Sequence, residues 1–180
     1  MGLVGAGQVL ALAATLFVVP AVGTPAAEVV ATGAPERGGG RFTAGLVARH
    51  SGKCLDVQGG GMDDGANIQQ WTCNDKGNQE WSLTATGGGY YTLKATHSGK
   101  CMDVLGDSLS IGAGIQQWTC LIGARNQEWG LSQRDDGYFV LVARHSGKCL
   151  QVMDGDIRDG ARIRQWTCVR GRKNQEWRLA

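Results

Sequence analysis

One segment of this chain occurs three times. Residues 50–81 read HSGKCLDVQGGGMDDGANIQQWTCNDKGNQEW. The segment returns at 97–129 as HSGKCMDVLGDSLSIGAGIQQWTCLIGARNQEW and at 145–177 as HSGKCLQVMDGDIRDGARIRQWTCVRGRKNQEW. Every His, Cys and Trp of the protein lies inside these copies, which are offset by 47 and then 48 residues. A chain that places its least common residues at a fixed period is one supersecondary unit used three times, so fold and function are properties of the unit.

Within each copy, short apolar or alternating runs are separated by Gly, Asp and Asn turns. In the first copy these runs are residues 46–49, 54–57, 68–72 and 80–84. None sustains a helical period, and the 29 glycines fit a chain rich in tight turns, so the expected class is all-β. A period near 47 also suits propeller blades, but a propeller ring takes about four or more of them. An open solenoid would need polar capping repeats, which are not visible. Three four-strand repeats (41–87, 88–135 and 136–180) predict a closed barrel with pseudo-threefold symmetry, the β-trefoil.

Six cysteines fall into three pairs, Cys54 with Cys73, Cys101 with Cys120 and Cys149 with Cys168, each 19 residues apart. Pairing within each repeat is the simplest of the many connectivities available, because the symmetry maps one bridge onto the next. A loop of that size stabilises the fold by ~3 kcal/mol through the unfolded chain. The spacing is far from that of a zinc site, so neither a metal nor a cofactor is expected. Such a framework points to an oxidising compartment, and hence to secretion. The N-terminus agrees: residues 9–22 are an apolar run followed by small residues, which resembles a secretory signal over 1–27. The run is short for a membrane span and Pro20 interrupts it, so no stable membrane insertion is expected after cleavage. Residues 28–40 lack periodicity and end in a glycine run, as a flexible linker does. The net charge of +2 gives no reason to expect a nucleic-acid partner.

Strand alternation leads from the cysteines to a site. In Cys54-Leu55-Asp56-Val57, Cys54 and Asp56 share one face; in the run 68–73, Gln69, Trp71 and Cys73 share one face. A Cys54–Cys73 bridge would draw those two faces together. Asp56, Gln69 and Trp71 are then expected to line a shallow cavity away from the barrel core. An aromatic plate beside an acceptor and an amide suits a sugar, whose C–H face packs on the ring while its hydroxyls pair with the polar groups. A tryptophan is more commonly a core residue, but Trp81 is the better candidate for that role here.

The motifs Gln79-Glu80-Trp81, Gln127-Glu128-Trp129 and Gln175-Glu176-Trp177, together with C-L-D-V and I-Q-Q-W-x-C, resemble the triple Q-x-W signature of the ricin B-chain lectin family and its family 13 carbohydrate-binding modules. The resemblance covers residues 41–180 and implies a β-trefoil with up to one galactose- or xylose-type site per repeat. Carried over residue by residue, it assigns hydroxyl binding to Asp56 and Asp103 and to Gln69 and Gln116. Stacking falls to Trp71 and Trp118, with Asn78 and Asn126 completing the sites. The Gln and Trp of Q-x-W are structural by the same resemblance. Repeat three departs from the pattern: Gln151 replaces the Asp and Arg164 the Gln, while Trp166 and Asn174 remain. Its site is expected to be weak or altered. From Arg144 onward nine Lys/Arg face four Asp/Glu, which suits either an acidic sugar or, the better reading, a decayed site on a solvated basic face.

Catalysis is not expected. Glu80, Glu128 and Glu176 recur in one environment, whereas a hydrolytic pair needs two. The histidines have no repeated nucleophile beside them and are assigned to the turn into HSGKC. The expected protein is thus a secreted, monomeric, non-enzymatic binder of polysaccharide or glycoprotein glycans. The other reading is a trefoil that binds protein, such as a protease inhibitor. That function needs one special loop and gains nothing from duplicated pockets. The turns 58–67, 105–115 and 153–162 differ between copies and are where sugar specificity would be set.

Overall fold

The structure, a computed structural model, describes residues 41–180. The signal and linker expected over 1–40 lie outside the described residues. Four strands arise from each repeat. They are β1 (Arg41–Ala48), β2 (Cys54–Val57), β3 (Ile68–Trp71) and β4 (Glu80–Gly87) in the first. The second holds β5 (Tyr90–Ala95), β6 (Cys101–Val104), β7 (Ile115–Trp118) and β8 (Glu128–Gln133). The third holds β9 (Phe139–Ala143), β10 (Cys149–Val152), β11 (Ile163–Trp166) and β12 (Trp177–Leu179). Among the described residues, no helix is long and apolar enough to cross a membrane.

Six strands close on themselves: β1 pairs with β4, β4 with β5, β5 with β8, β8 with β9, β9 with β12, and β12 with β1, all antiparallel. Closure removes the unpaired edge that an open sheet would present. The remaining strands form three hairpins, β2–β3, β6–β7 and β10–β11. This is the β-trefoil. Strand β1 begins earlier than the sequence suggests because it serves two partners: Arg41–Gly45 pairs with β4, and Leu46–Ala48 with β12. Strand β3 stops before Thr72, whose N–H donates to a carboxylate of Asp159 (2.7 Å) instead of to a ladder.

The core is threefold in composition. Trp81, Trp129 and Trp177 are fully buried, as are Leu46, Leu93 and Leu141. Leu55, Met102 and Leu150 and the isoleucines Ile68, Ile115 and Ile163 join them. Each buried indole N–H donates to a backbone carbonyl of its own repeat: Leu55 (3.1 Å), Met102 (3.1 Å) and Leu150 (3.4 Å). A tryptophan is tolerated so deeply only with its donor satisfied. Truncating one to Ala would cost ~3–5 kcal/mol. The disulfides join Cys54 to Cys73, Cys101 to Cys120 and Cys149 to Cys168, one within each repeat.

The repeats are joined through the loop after the second strand of each. Gln117 is fully buried and donates both amide protons to carbonyls of the repeat-one loop, Gly61 (2.8 Å) and Asp63 (2.9 Å). Gln165 does the same to Ser108 and Ser110 of repeat two, and Gln70 to Asp156 and Arg158 of repeat three. The histidines act beside them: His97, His145 and His50 approach Gly61, Ser108 and Asp156 carbonyls at 3.0–3.1 Å. Their role is a latch between repeats, reaching beyond the local turn that the sequence suggested. The recurring glutamates also bridge repeats or turns, with Glu128 on Arg144 (2.6 Å), Glu176 on Arg49 (2.9 Å) and Glu80 on Thr96 (2.9 Å).

Candidate binding sites

In repeat one the hairpin register sets Asp56 directly opposite Gln69 and Cys54 opposite Trp71. Side chains opposite each other on one face stand close enough to touch. Gln69 Nε2 donates to Asp56 Oδ1 (2.9 Å). Asp56 Oδ2 accepts from Asn78 (2.7 Å) and from Gln79 (2.9 Å), both carried on the turn that precedes β4. Repeat two reproduces the set within 0.1 Å: Gln116 to Asp103 Oδ1 at 2.9 Å, and Asn126 and Gln127 to Oδ2 at 2.8 and 3.0 Å.

The carboxylates are deeper than strand alternation alone suggests. Asp56 is 2% exposed and Asp103 4%. Burial pushes both carboxyls above the usual carboxylate range, and the three amides on each offset only part of that rise. Three bonds occupy three of roughly four acceptor positions on a carboxylate, which leaves one at Oδ1. The Gln of Q-x-W is thus a positioning residue: Gln79 holds Asp56 with one end and accepts from the Asn74 N–H (2.9 Å) with the other.

Above this polar floor stand the tryptophans. Trp71 is 40% exposed and Trp118 39%, in contrast to the fully buried tryptophans of Q-x-W. Asp56, Gln69, Trp71 and Asn78 line one cavity of about 470 Å³, along with Gln58 and Asn74. Asp103, Gln116, Trp118 and Asn126 line another of about 900 Å³. The structure therefore brings together the four residues expected in each of these repeats.

Each plate is supported by the neighbouring repeat, which no single repeat reveals. A Cβ on Gly160 would stand 4.0 Å from the Trp71 ring, and one on Gly65 would stand 3.9 Å from that of Trp118. Both glycines have φ near +85°, in the region that disfavours other residues. Beside them Asp159 and Asp64 accept from Thr72 and Thr119 and pair with Lys53 and Lys100 at 2.8 Å. The lysine hydrogen bond chiefly, then the threonine, holds each carboxyl below its ordinary range. The glycine recurs in all three sequence copies and the aspartate in the first and third, but nothing in one copy says that they serve the next.

Repeat three is built otherwise. Gln151 is fully buried; its Oε1 accepts from Arg164 Nε (3.0 Å), and its Nε2 has no protein partner. Arg164 also pairs with Asp154 (2.9 Å), and its guanidinium lies over the Trp166 ring, 4.1 Å from the centroid. Asn174 keeps only its bond to the Val152 carbonyl (2.8 Å).

The family model of the ricin-type beta-trefoil lectin domain matches residues 42–177. The chain belongs to this family. The lectin family is generally non-catalytic. Among solved structures, a designed threefold-symmetric protein, ThreeFoil, is 47% identical with a TM-score of 0.74, over 77% of this chain and 97% of that one. An exo-beta-1,3-galactanase from Clostridium thermocellum is 38% identical with a TM-score of 0.73, over 77% of this chain but 30% of the enzyme. The ricin B-like lectin of Macrolepiota procera, solved in complex with lactose, is 19% identical with a TM-score of 0.66, over 77% of this chain and 94% of that one; at this identity the likeness is one of fold.

Proposed function

We propose that this protein is a secreted, monomeric, non-catalytic carbohydrate-binding protein. It binds galactose- or xylose-type units of polysaccharides or glycoconjugates through the sites of repeats one and two, with repeat three weakened. The observation that carries this reading is the duplicated set of an exposed indole above a buried carboxylate held by three amides. A sugar ring stacks on Trp71 or Trp118 and directs hydroxyls to Asp56 or Asp103 and to the amides around them. Family membership supports carbohydrate as the ligand class, and the likeness to part of a galactanase supports a galactose-type unit. Three disulfides support an extracellular setting.

Shallow single-sugar sites bind at about 4 kcal/mol, near millimolar. Two sites on one rigid body raise avidity for a polymer by ~10² where the chain reaches both. A polysaccharide or a glycosylated surface is therefore the natural target, ahead of a free monosaccharide. The test is a glycan screen of the oxidised protein with galactose, lactose, xylan and uronic-acid polymers, each competed with free sugar. Trp71→Ala combined with Trp118→Ala is expected to abolish polymer binding while the fold persists. A folded protein that binds no glycan would overturn the reading and turn attention to a protein partner.

A further inference from the structure

The cavities of repeats one and two share a polar floor and differ in their walls. At three corresponding loop positions around the indole, repeat one carries Gln58, Met62 and Asn74, and repeat two carries Leu105, Leu109 and Leu121. All three leucines line the Trp118 cavity, and each is more than half exposed. Ile111 and Ile122 of the same repeat are exposed as well. Single exposed leucines are ordinary on a soluble surface, but here three converge on the rim of one aromatic plate. None of the three belongs to the buried core, so the fold gives no reason for them. Of the charged residues that share this cavity, which include Asp107 and Arg125, Arg144 is already committed: it pairs with Glu128 and stacks on Tyr90 at 4.6 Å. The connection from Trp118 to the following Q-x-W motif is one residue longer than in repeat one, and the cavity is nearly twice as large.

A hydroxylated ring fills the floor, where Asp103, Gln116 and Asn126 offer polar partners. The leucine rim offers no hydrogen bond and rewards only the removal of apolar surface from water. We propose that the repeat-two site takes a glycoside whose sugar carries an apolar aglycone, the sugar stacked on Trp118 and the aglycone covered by Leu105, Leu109 and Leu121. The repeat-one site, with Gln58 and Asn74 in those positions, takes the sugar without regard to such a group. The two sites are thus specialised for different parts of a glycoconjugate. This rests on the carbohydrate reading proposed above and adds the ligand class of one site.

The experiment is calorimetric titration of the oxidised full chain carrying Trp71→Ala, which leaves the repeat-two site, and of the chain carrying Trp118→Ala, which leaves the repeat-one site. The probes are methyl, phenyl and octyl β-galactosides and the matching xylosides. Phenyl or octyl is expected to bind about tenfold more tightly than methyl at the repeat-two site, the gain from covering a modest apolar area, and about equally at the repeat-one site. The phenyl and octyl arms tell an aryl from an alkyl aglycone, and preference for either one supports the proposal. Adding Leu105→Gln and Leu121→Asn, the residues that repeat one carries, to the Trp71→Ala chain is expected to bring its ratio down to that of repeat one. In the unsubstituted protein, shifts of the Trp71 and Trp118 indole resonances separate the two sites with no risk to the fold. Equal ratios at both sites, or a ratio that ignores the leucines, would overturn the apolar rim and leave carbohydrate binding standing. Absence of binding for every glycoside and polymer would remove both.

Discussion

The guanidinium of Arg164 lies over the indole of Trp166, 4.1 Å from its centroid, where the other repeats leave the corresponding tryptophan face open to solvent. Arg164 spans two anchors, Gln151 and Asp154, and so covers the plate with a group of this chain's own. Gln151→Asp together with Arg164→Gln gives repeat three the acceptor and amide of its neighbours, with Asn174 and Trp166 already present. The double variant is expected to gain one binding site, read as calorimetric stoichiometry with the sugar that the first two sites take. Arg164→Gln alone should expose Trp166 to fluorescence quenchers without creating that site, since Gln151 supplies no charge.

The seams between repeats are unequal. Asp64 and Asp159 clamp a lysine and a threonine across two of them, whereas Ile111 stands at that position in the third and leaves Lys148 and Thr167 without a carboxylate there. Ile111→Asp is expected to stabilise the protein slightly, because the clamp gains a charge-assisted bond that solvent partly screens. The midpoint of urea unfolding measures it.

Adjacent glutamines have separate tasks. Gln117→Ala leaves the Asp63 carbonyl without its donor and the Gly61 carbonyl with His97 alone, and should lower stability by about 1–3 kcal/mol, seen as an earlier denaturation midpoint. Gln116→Ala takes one amide from Asp103 and should lower affinity at repeat two by at least about tenfold, in a titration of the Trp71→Ala chain.

Binding should weaken with acid sooner than an ordinary carboxylate would require. Burial raises the folded pKa of Asp56 and Asp103, and protonation removes the open acceptor at Oδ1. Affinity is therefore full above the raised values and falls as pH drops through them. Stability moves the other way for these two groups. In that window the folded state holds more protons than the unfolded chain, so their contribution to stability rises as pH falls. Titrating the two carboxyl carbons by NMR alongside ligand affinity checks both directions.

The closed barrel of three four-strand repeats and the cysteine pairs were readable because each depends on alternation and on a period that the chain repeats. The same alternation placed Asp56, Gln69 and Trp71 on one face. It could not show how deep that face lies, so Asp56 read as a surface acceptor when its carboxylate is buried among amides. Nor did the copies show that Gly160 backs Trp71, or that His97 and Gln117 hold the repeat-one loop. Those partners lie in a different repeat, 36 residues along the chain for His97 and 56 for Gln117.

What the sequence determined by itself is the unit: its strands, its disulfide, its buried and exposed tryptophans, and the departure at Gln151 and Arg164. Periodicity and register are local, and a threefold repeat multiplies the signal. What only the tertiary structure decided is what each unit does for its neighbour and what fills each site. Gly160 and Gly65 stand against Trp71 and Trp118, and His97 and Gln117 hold the repeat-one loop, because barrel closure sets one repeat against the next. Leu105, Leu109 and Leu121 meet at the Trp118 cavity because the β6–β7 hairpin folds its flanking loops to one rim. Those juxtapositions are set by packing in three dimensions.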